Sequence, residues 1–244
     1  MQTIGAKLSP YHEFFDLVSE AYRVFAGGKP EGSGVCECCT DRSIQERFFQ
    51  PDVAELPLAW LQDWFCGAVV GGELPRQVWR YLLPRILEVL AAGEMLSSIA
   101  LEASLSRFPT GVAENWTVEE WSVLDRFQRK FLCRGLEISA EDRFDDVLCL
   151  FGRAGWSLDG LFAQVLELPT EALVLRLWAD WNWGGKPEID LSYCWEEDQM
   201  PRVRAFYLSD NLRRKVGQVI GDPRTPAVVR DRAKAIIALL EGEA

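Results

Sequence analysis

The 244-residue chain is 48% hydrophobic and 26% charged, a composition that can bury a substantial core and excludes an intrinsically disordered protein. Its 26 Lys and Arg residues against 37 Asp and Glu residues give a net charge of −11 at pH 7, which repels nucleic-acid phosphates and anionic membrane surfaces. We therefore expect no nucleic-acid or membrane partner, and expect a basic protein partner, because opposite charge speeds encounter.

The sequence also predicts a cytoplasmic location. The N-terminal residues carry no apolar run of secretory length, and no apolar stretch approaches the roughly 20 residues that span a bilayer. Seven cysteines, an odd number spread over the whole chain, suit a reducing compartment better than a disulfide framework.

Helical periodicity and punctuation predict helices through the first half of the chain. The first begins after Ser9, and a short turn follows a cysteine loop at residues 35–43. Pro57 and Pro75 then begin two longer helices. Pro84 should kink the second of these, because proline has no backbone N–H to donate and clashes with the preceding turn.

The second half of the chain is punctuated in the same way. Thr117 with Glu120 predicts a capping box, and Ser139 with Asp142 predicts another. Further helices should begin after four residues: Ser157, Thr170, Ser209 and Thr225. No stretch alternates as a strand would. We therefore predict an all-α fold, a single domain over residues 1–244 of about nine or ten helices packed as helical hairpins in an irregular bundle or α–α superhelix.

Several segments resemble, in order, those of a family of uncharacterised bacterial helical proteins that carry V-C-x-C-C near the N-terminus. The segments are VCECC, LPLAWLQDWFCGAV, WRYLLPRILEVLAAG, EEW…F..KFL and RFDDVLCLFGRAGWSLDGLF. The resemblance covers roughly residues 30 to 240. It supports the helical fold and leaves the function open.

The cysteine cluster of Cys36, Cys38 and Cys39 has three interpretations. The C-x2-C spacing of its outer members lets two thiolates face one zinc ion, but no second pair exists, so four ligands would require His12, Cys66 or another lone cysteine. The same spacing suits a redox pair, although the βαβ scaffold typical of such pairs is not predicted. The simplest interpretation is apolar packing of the loop. The remaining helical cysteines are expected in the core: Cys66, Cys133 and Cys149.

Signatures of catalysis are mostly missing from the sequence. His12 is the only histidine, and neither G-x-S-x-G, nor a P-loop, nor H-E-x-x-H is present. Acid pairs such as Asp145-Asp146 fall in the first turns of helices, where negative charge offsets the amide dipole. We predict no catalytic residues.

An insertion at residues 182–201 is rich in tryptophan and acids. Aromatic side chains ringed by acids are typical of a binding hot spot for a basic protein. The alternative is that the insertion folds back and buries its aromatic side chains while the acids remain in solvent. The candidate partner-binding residues are Trp183, Tyr193, Trp195, Glu196, Glu197 and Asp198.

Two functional hypotheses follow from these features. The first is a non-enzymatic protein-binding module without a cofactor, most concretely an inhibitor of the toxin-immunity kind that masks a basic partner. The second is a zinc-binding or thiol-dependent protein centred on Cys36, Cys38 and Cys39, either an enzyme or a metal-stabilised scaffold. The acidic charge and the shortage of catalytic residues favour the first.

Overall fold

The computed structural model describes residues 5, 7–32, 42–68, 76–96, 101–106, 108–137, 142–182 and 185–242. Within these ranges the chain forms α-helices and short 3-10 turns and contains no β-strand, which confirms the all-α prediction. None of the helices described is long and apolar enough to cross a membrane. The chain groups into two compact units, residues 1–128 and 129–244. A single domain stays a prediction.

The first unit is arranged around one long, buried helix. Its helices are α1 (Phe15–Val24), α2 (Arg42–Gln45), α3 (Leu58–Ala68), α4 (Arg76–Ala91) and the beginning of α5 (Val118–Arg134), with 3-10 turns at Val53–Glu55, Leu101–Ala103 and Ala113–Asn115. Helix α4 packs against α1 and against the first of these turns. Every side chain from Tyr81 to its end is buried. Pro84 lies inside α4 as predicted.

The first helix begins later than the sequence predicts. Residues 10–14 form turns, and α1 starts at Phe15. His12 explains the difference, because its Nδ1 accepts a hydrogen bond from the Phe14 amide at 3.2 Å. The Phe14 amide therefore already has an acceptor in the His12 side chain, whereas in a longer helix it would donate to a backbone carbonyl of the preceding turn.

The capping box predicted for α5 is confirmed. The amide of Thr117 donates to Glu120 Oε2 at 2.9 Å, and the amide of Glu120 donates to Thr117 Oγ1 at 3.3 Å. Glu120 is only 1% exposed and also pairs with Arg80 of α4 at 2.5 Å. Burial raises the pKa of this carboxyl, but the Thr117 amide and Arg80 together outweigh burial and hold the pKa below its usual range. The cap is therefore also an ion pair between α4 and α5.

The second unit is arranged around α8. Its helices are α6 (Phe144–Arg153), α7 (Leu158–Glu167), α8 (Thr170–Trp181), α9 (Met200–Tyr207), α10 (Asp210–Gly217) and α11 (Ala227–Gly242). Helix α8 packs against α6, α10 and α11, while α10 also contacts α7 and α9. Helix α8 is therefore the element that α6, α10 and α11 have in common.

Two of the caps predicted in this unit are present. Ser157 Oγ accepts from the Gly160 amide at 3.4 Å, and Ser209 Oγ accepts from the Leu212 amide at 3.3 Å. Thr170 differs from the prediction, because it is the first residue of α8 and its side chain makes no capping hydrogen bond. Its hydroxyl instead donates to Gln218 at 3.2 Å.

We predict that Glu120→Gln lowers the free energy of unfolding of the first unit by about 2 kcal/mol, since the ion pair with Arg80 is lost and the cap keeps only a neutral acceptor. Chemical denaturation followed by circular dichroism measures the change. The control is Glu119→Gln, which removes the exposed neighbouring charge and should change the free energy by less than about 0.5 kcal/mol. Equal effects of the two substitutions would contradict the role given to Glu120.

Candidate protein-binding site

A single buried carboxylate attaches the 185–199 segment, here called the anchored loop, to the helices beneath it. Asp145, in the first turn of α6, is 3% exposed. Its Oδ2 accepts from the Ser192 amide at 2.6 Å and from Trp195 Nε1 at 2.9 Å, and its Oδ1 accepts from the Tyr207 hydroxyl at 2.9 Å. Asp145 therefore joins α6, the anchored loop and α9.

The environment of Asp145 changes its acidity. Burial raises the pKa of the Asp145 carboxyl to about 6, although the three hydrogen bonds oppose the rise. Burial and the neighbouring Asp145 charge raise the pKa of Tyr207 well above its ordinary value. At neutral pH the site therefore holds a carboxylate that accepts three hydrogen bonds, one of them from a neutral phenol.

The indole of Trp195 lies directly over a glycine of α6. A Cβ built at Gly152 would be 2.3 Å from Trp195 Cζ3, which is too close for any side chain. Gln199 adds a hydrogen bond from its side-chain amide to the Gly152 carbonyl at 3.2 Å. The absence of a side chain at Gly152 therefore lets Trp195 of the loop pack directly on α6.

Ion pairs attach the loop at both ends of α6. At the start of the helix Arg143 pairs with Asp190 of the loop at 2.5 Å and with Asp146 at 2.8 Å. At its end Arg153 pairs with Glu196 at 2.9 Å. The loop therefore follows α6 along its length.

The cap at the start of α6 differs in register from the predicted box. Asp146 Oδ2 accepts from the Arg143 amide at 3.2 Å. Ser139, the predicted cap, lies outside the described residues. Asp142, its predicted partner, contributes its backbone carbonyl to Arg176 of α8.

Helix α8 fixes the first turn of α6 through a buried ion pair. Arg176 pairs with Asp180 at 3.0 Å and donates to the Glu137 carbonyl at 2.7 Å. Asp180 Oδ2 also accepts from the Phe144 amide at 2.9 Å. Burial raises the pKa of Asp180 despite these hydrogen bonds. Helix α8 therefore holds the start of α6, one residue before Asp145.

The aromatic residues predicted to bind a partner have different environments. Trp195 is 6% exposed, so it holds the loop on α6. This agrees with the alternative in which the insertion folds back and buries its aromatic side chains. Tyr193, two residues earlier, is 78% exposed. Trp183 lies outside the described residues.

The predicted acids remain at the surface. Glu197 and Asp198 are exposed and form no ion pair within the described part of the chain. Glu196 is exposed but pairs with Arg153. Of the six predicted partner-binding residues, Tyr193, Glu197 and Asp198 are therefore the ones that the structure shows exposed and outside any ion pair with a described residue.

The cysteine predictions have mixed outcomes. Cys36, Cys38 and Cys39 lie outside the described residues, so zinc or thiol chemistry there stays a prediction, and no group of metal-binding side chains occurs among the residues that the structure does describe. Cys149 is buried as expected, whereas the expectation for Cys133 is wrong, because this residue of α5 is exposed. The Cys66 side chain is not among those described.

Sequence reasoning missed the anchoring role of Asp145. Asp145 was explained by its favourable interaction with the helix dipole, and that explanation fits any acid in the first turn of a helix. A more specific signal was present, since Asp145, Leu148, Cys149 and Gly152 follow the i, i+3, i+4, i+7 spacing of one helix face. An acid on the apolar stripe of a helix needs buried donors.

No family model, curated protein or solved structure matches the chain. The resemblance to an uncharacterised bacterial family stays a prediction. The function must therefore be inferred from the geometry of the site.

We predict that Gly152→Ala destabilises the second unit by about 1–3 kcal/mol, because the added methyl group displaces Trp195. The loop should then be cleaved faster by a glutamate-specific protease, at Glu188 or Glu197. The control is Gly160→Ala in α7, where the nearest atom to a new Cβ is 3.7 Å away; stability there should stay equal or rise by up to about 1 kcal/mol. Unchanged cleavage in Gly152→Ala would contradict the anchoring role of Trp195.

The raised pKa of Asp145 makes stability depend on pH. The carboxyl has its ordinary pKa of 3.8 in the unfolded chain and a pKa of about 6 in the folded chain, so the stability present below pH 3.8 should decline as pH rises through this window. Asp145→Asn cannot titrate, and its amide can accept from Ser192 and Trp195 while donating to the Tyr207 oxygen. The free energy of unfolding of the wild type minus that of the variant should fall by on the order of 3 kcal/mol between about pH 4 and 6. A difference that is flat or rises with pH contradicts the assignment.

Proposed function

We propose that the protein is a non-enzymatic binding module that docks a basic protein on the anchored loop, most concretely as an inhibitor of the toxin-immunity kind. The observation that carries the proposal is an exposed tyrosine, Tyr193, in the same loop as two exposed acids, Glu197 and Asp198, that form no ion pair with any described residue. Asp145 fixes this loop from beneath. Masking a partner in this way requires complementarity and no chemistry.

Preorganisation supports the proposal. Ordering a loop on binding opposes affinity, and a loop already held in its bound conformation avoids much of that loss. Tyr193 lies between two fixed residues, Ser192, whose amide donates to Asp145, and Trp195, whose indole does the same. A tyrosine presented in this manner is a typical hot-spot residue.

Charge supports a basic partner. The loop carries five acids against one lysine, Lys186. Arg143 and Arg153 neutralise Asp190 and Glu196. Three acids remain without an ion pair among the described residues: Glu188, Glu197 and Asp198. Such a surface speeds encounter with Lys or Arg and disfavours acidic competitors.

We predict that Tyr193→Ala and the double variant Glu197→Lys/Asp198→Lys each abolish capture of a basic protein by the immobilised chain from a lysate of the source organism. Mass spectrometry identifies the captured protein, and its retention by wild type should weaken as salt rises. Tyr11→Ala, which removes a tyrosine that is 98% exposed in the first unit, should capture normally. Recovery of the same protein by all variants, or of no basic protein by wild type, would overturn the proposal.

A further inference from the structure

A groove runs between α7 and α9 on the surface of the second unit, here called the α7–α9 groove. Its volume of about 490 Å³ lies within the roughly 300–1,000 Å³ typical of ligand pockets. Four of its lining residues have the spacing of one face of α7: Asp159, Phe162, Ala163 and Leu166. Three have the same kind of spacing on α9: Arg202, Ala205 and Phe206. Each helix therefore turns one continuous face towards the groove.

The two helices run in the same direction along the groove and contact each other across its floor. Near their starts Arg202 pairs with Asp159 at 2.8 Å. One turn further on, the rings of Phe162 and Phe206 stack with an interplanar angle of 2° and centroids 4.2 Å apart. The stacked rings therefore form an aromatic floor, and an ion pair joins the helices at one end of it.

The open side of the groove matches a third helix. Ala163 and Ala205 are exposed, and their short side chains let the backbone of a partner approach closely. From Asp159 to Leu166 the lined face of α7 extends over about 10 Å, or two helical turns. An amphipathic helix presents apolar side chains at matching spacing over that distance, so two or three of them fit the groove.

An extended segment fits the groove less well than a helix does. The backbone amides and carbonyls inside α7 and α9 are hydrogen-bonded within those helices. The groove therefore offers no strand edge with which an extended backbone could pair. A helix satisfies its own backbone and contributes only side chains.

Charge beside the groove favours a basic helix. The chain already turns helically before α9, since the Met200 amide donates to the Glu196 carbonyl at 3.0 Å. Asp198 therefore lies one turn before Arg202 on the same side of the helix. Arg202 already pairs with Asp159, whereas Asp198 is exposed and forms no ion pair with a described residue. A carboxylate at the end of an apolar groove favours a lysine or arginine of the partner.

The same charge argues against two other occupants. Asp198 disfavours a phosphate group at this end of the groove. The net charge of −11 repels a nucleic acid and a second copy of this chain alike, whereas it attracts a basic protein.

We propose that the α7–α9 groove receives a basic amphipathic helix of the partner protein, with apolar side chains over Phe162 and Phe206 and a lysine or arginine against Asp198. The inference rests on the proposed function and deepens it, since Asp198 belongs both to the anchored loop and to the side of α9 that lines the groove. Tyr193 then contacts another part of the same partner.

A synthetic peptide of about 18 residues, long enough to form a helix, tests the inference on the full chain. It carries leucine at helical spacing on one side and lysine elsewhere. Calorimetry should show binding that weakens as salt rises, and NMR should show the largest amide shifts in α7 and α9. An isomer of the same composition, with its leucines spread around the helix, should bind about tenfold more weakly.

Variants of the chain separate the groove from general attraction between opposite charges. Ala163→Gln/Ala205→Gln fills the groove without changing the charge and should weaken peptide binding about tenfold. Its control, Ala238→Gln at an exposed site of α11, should bind as wild type does. Asp198→Asn should weaken binding about threefold, whereas Glu241→Gln, which removes another exposed acid, should change it by less than about twofold. Circular dichroism melting verifies that all four variants are folded.

Three outcomes would overturn the inference. They are peptide binding that the filled groove leaves unchanged, equal binding of the isomer with spread leucines, and a wild-type dimer that Ala163→Gln/Ala205→Gln dissociates in sedimentation velocity. The last outcome would assign the groove to a second copy of the chain.

The inference and the proposed function can fail separately. Capture of a basic protein that requires Tyr193 but persists in Ala163→Gln/Ala205→Gln removes this inference and leaves the proposed function intact. Peptide binding in the groove of a chain that captures no basic protein removes the proposed function and supports the groove as a site for a basic helix.

Discussion

A carboxylate enclosed by apolar side chains is stable only where donors surround it, and Asp145 has three, a backbone amide, an indole and a phenol. Leaving one such buried group unpaired costs about 1–3 kcal/mol. The loop, α6 and α9 are therefore coupled, because none can shift without breaking a hydrogen bond in a site that water does not reach. An irregular loop can present Tyr193 in one position for this reason.

The first unit also contains a buried carboxylate with several hydrogen-bond donors, and it lies on α4. Arg85 is fully buried and pairs with Glu88 at 2.6 Å, while the Tyr22 hydroxyl of α1 donates to the same carboxylate at 2.6 Å. Burial, reinforced by the Glu88 charge, raises the pKa of Tyr22 and keeps it a neutral donor. A helix that is apolar on nearly every side can rotate among similar packings. We infer that these directional contacts select one of them.

The features that could be predicted from the sequence are those that depend on residues close together in the chain. The caps at Thr117, Ser157 and Ser209 involve residues three positions apart, so their spacing is visible in the chain. The donors to Asp145 lie 47, 50 and 62 residues away, and the dipole explanation concealed the need for them. Trp195 is buried because Gly152, 43 positions earlier, has no side chain to exclude it. The periodicity of the sequence cannot reveal a contact between residues so far apart. Cys133 belongs to an apolar stretch but lies on an outward helix face.

The proposed docking surface requires a fixed scaffold, and the loop is fixed only if Asp145 holds the Ser192 amide. Hydrogen exchange at that amide, followed by NMR at neutral pH, measures this contact directly. Protection comparable to that of the α6 backbone amides is the predicted result, although Ser192 lies in no helix. Exchange as fast as in an unstructured peptide would contradict the account, because the loop would then be free to move and Tyr193 would not be preorganised.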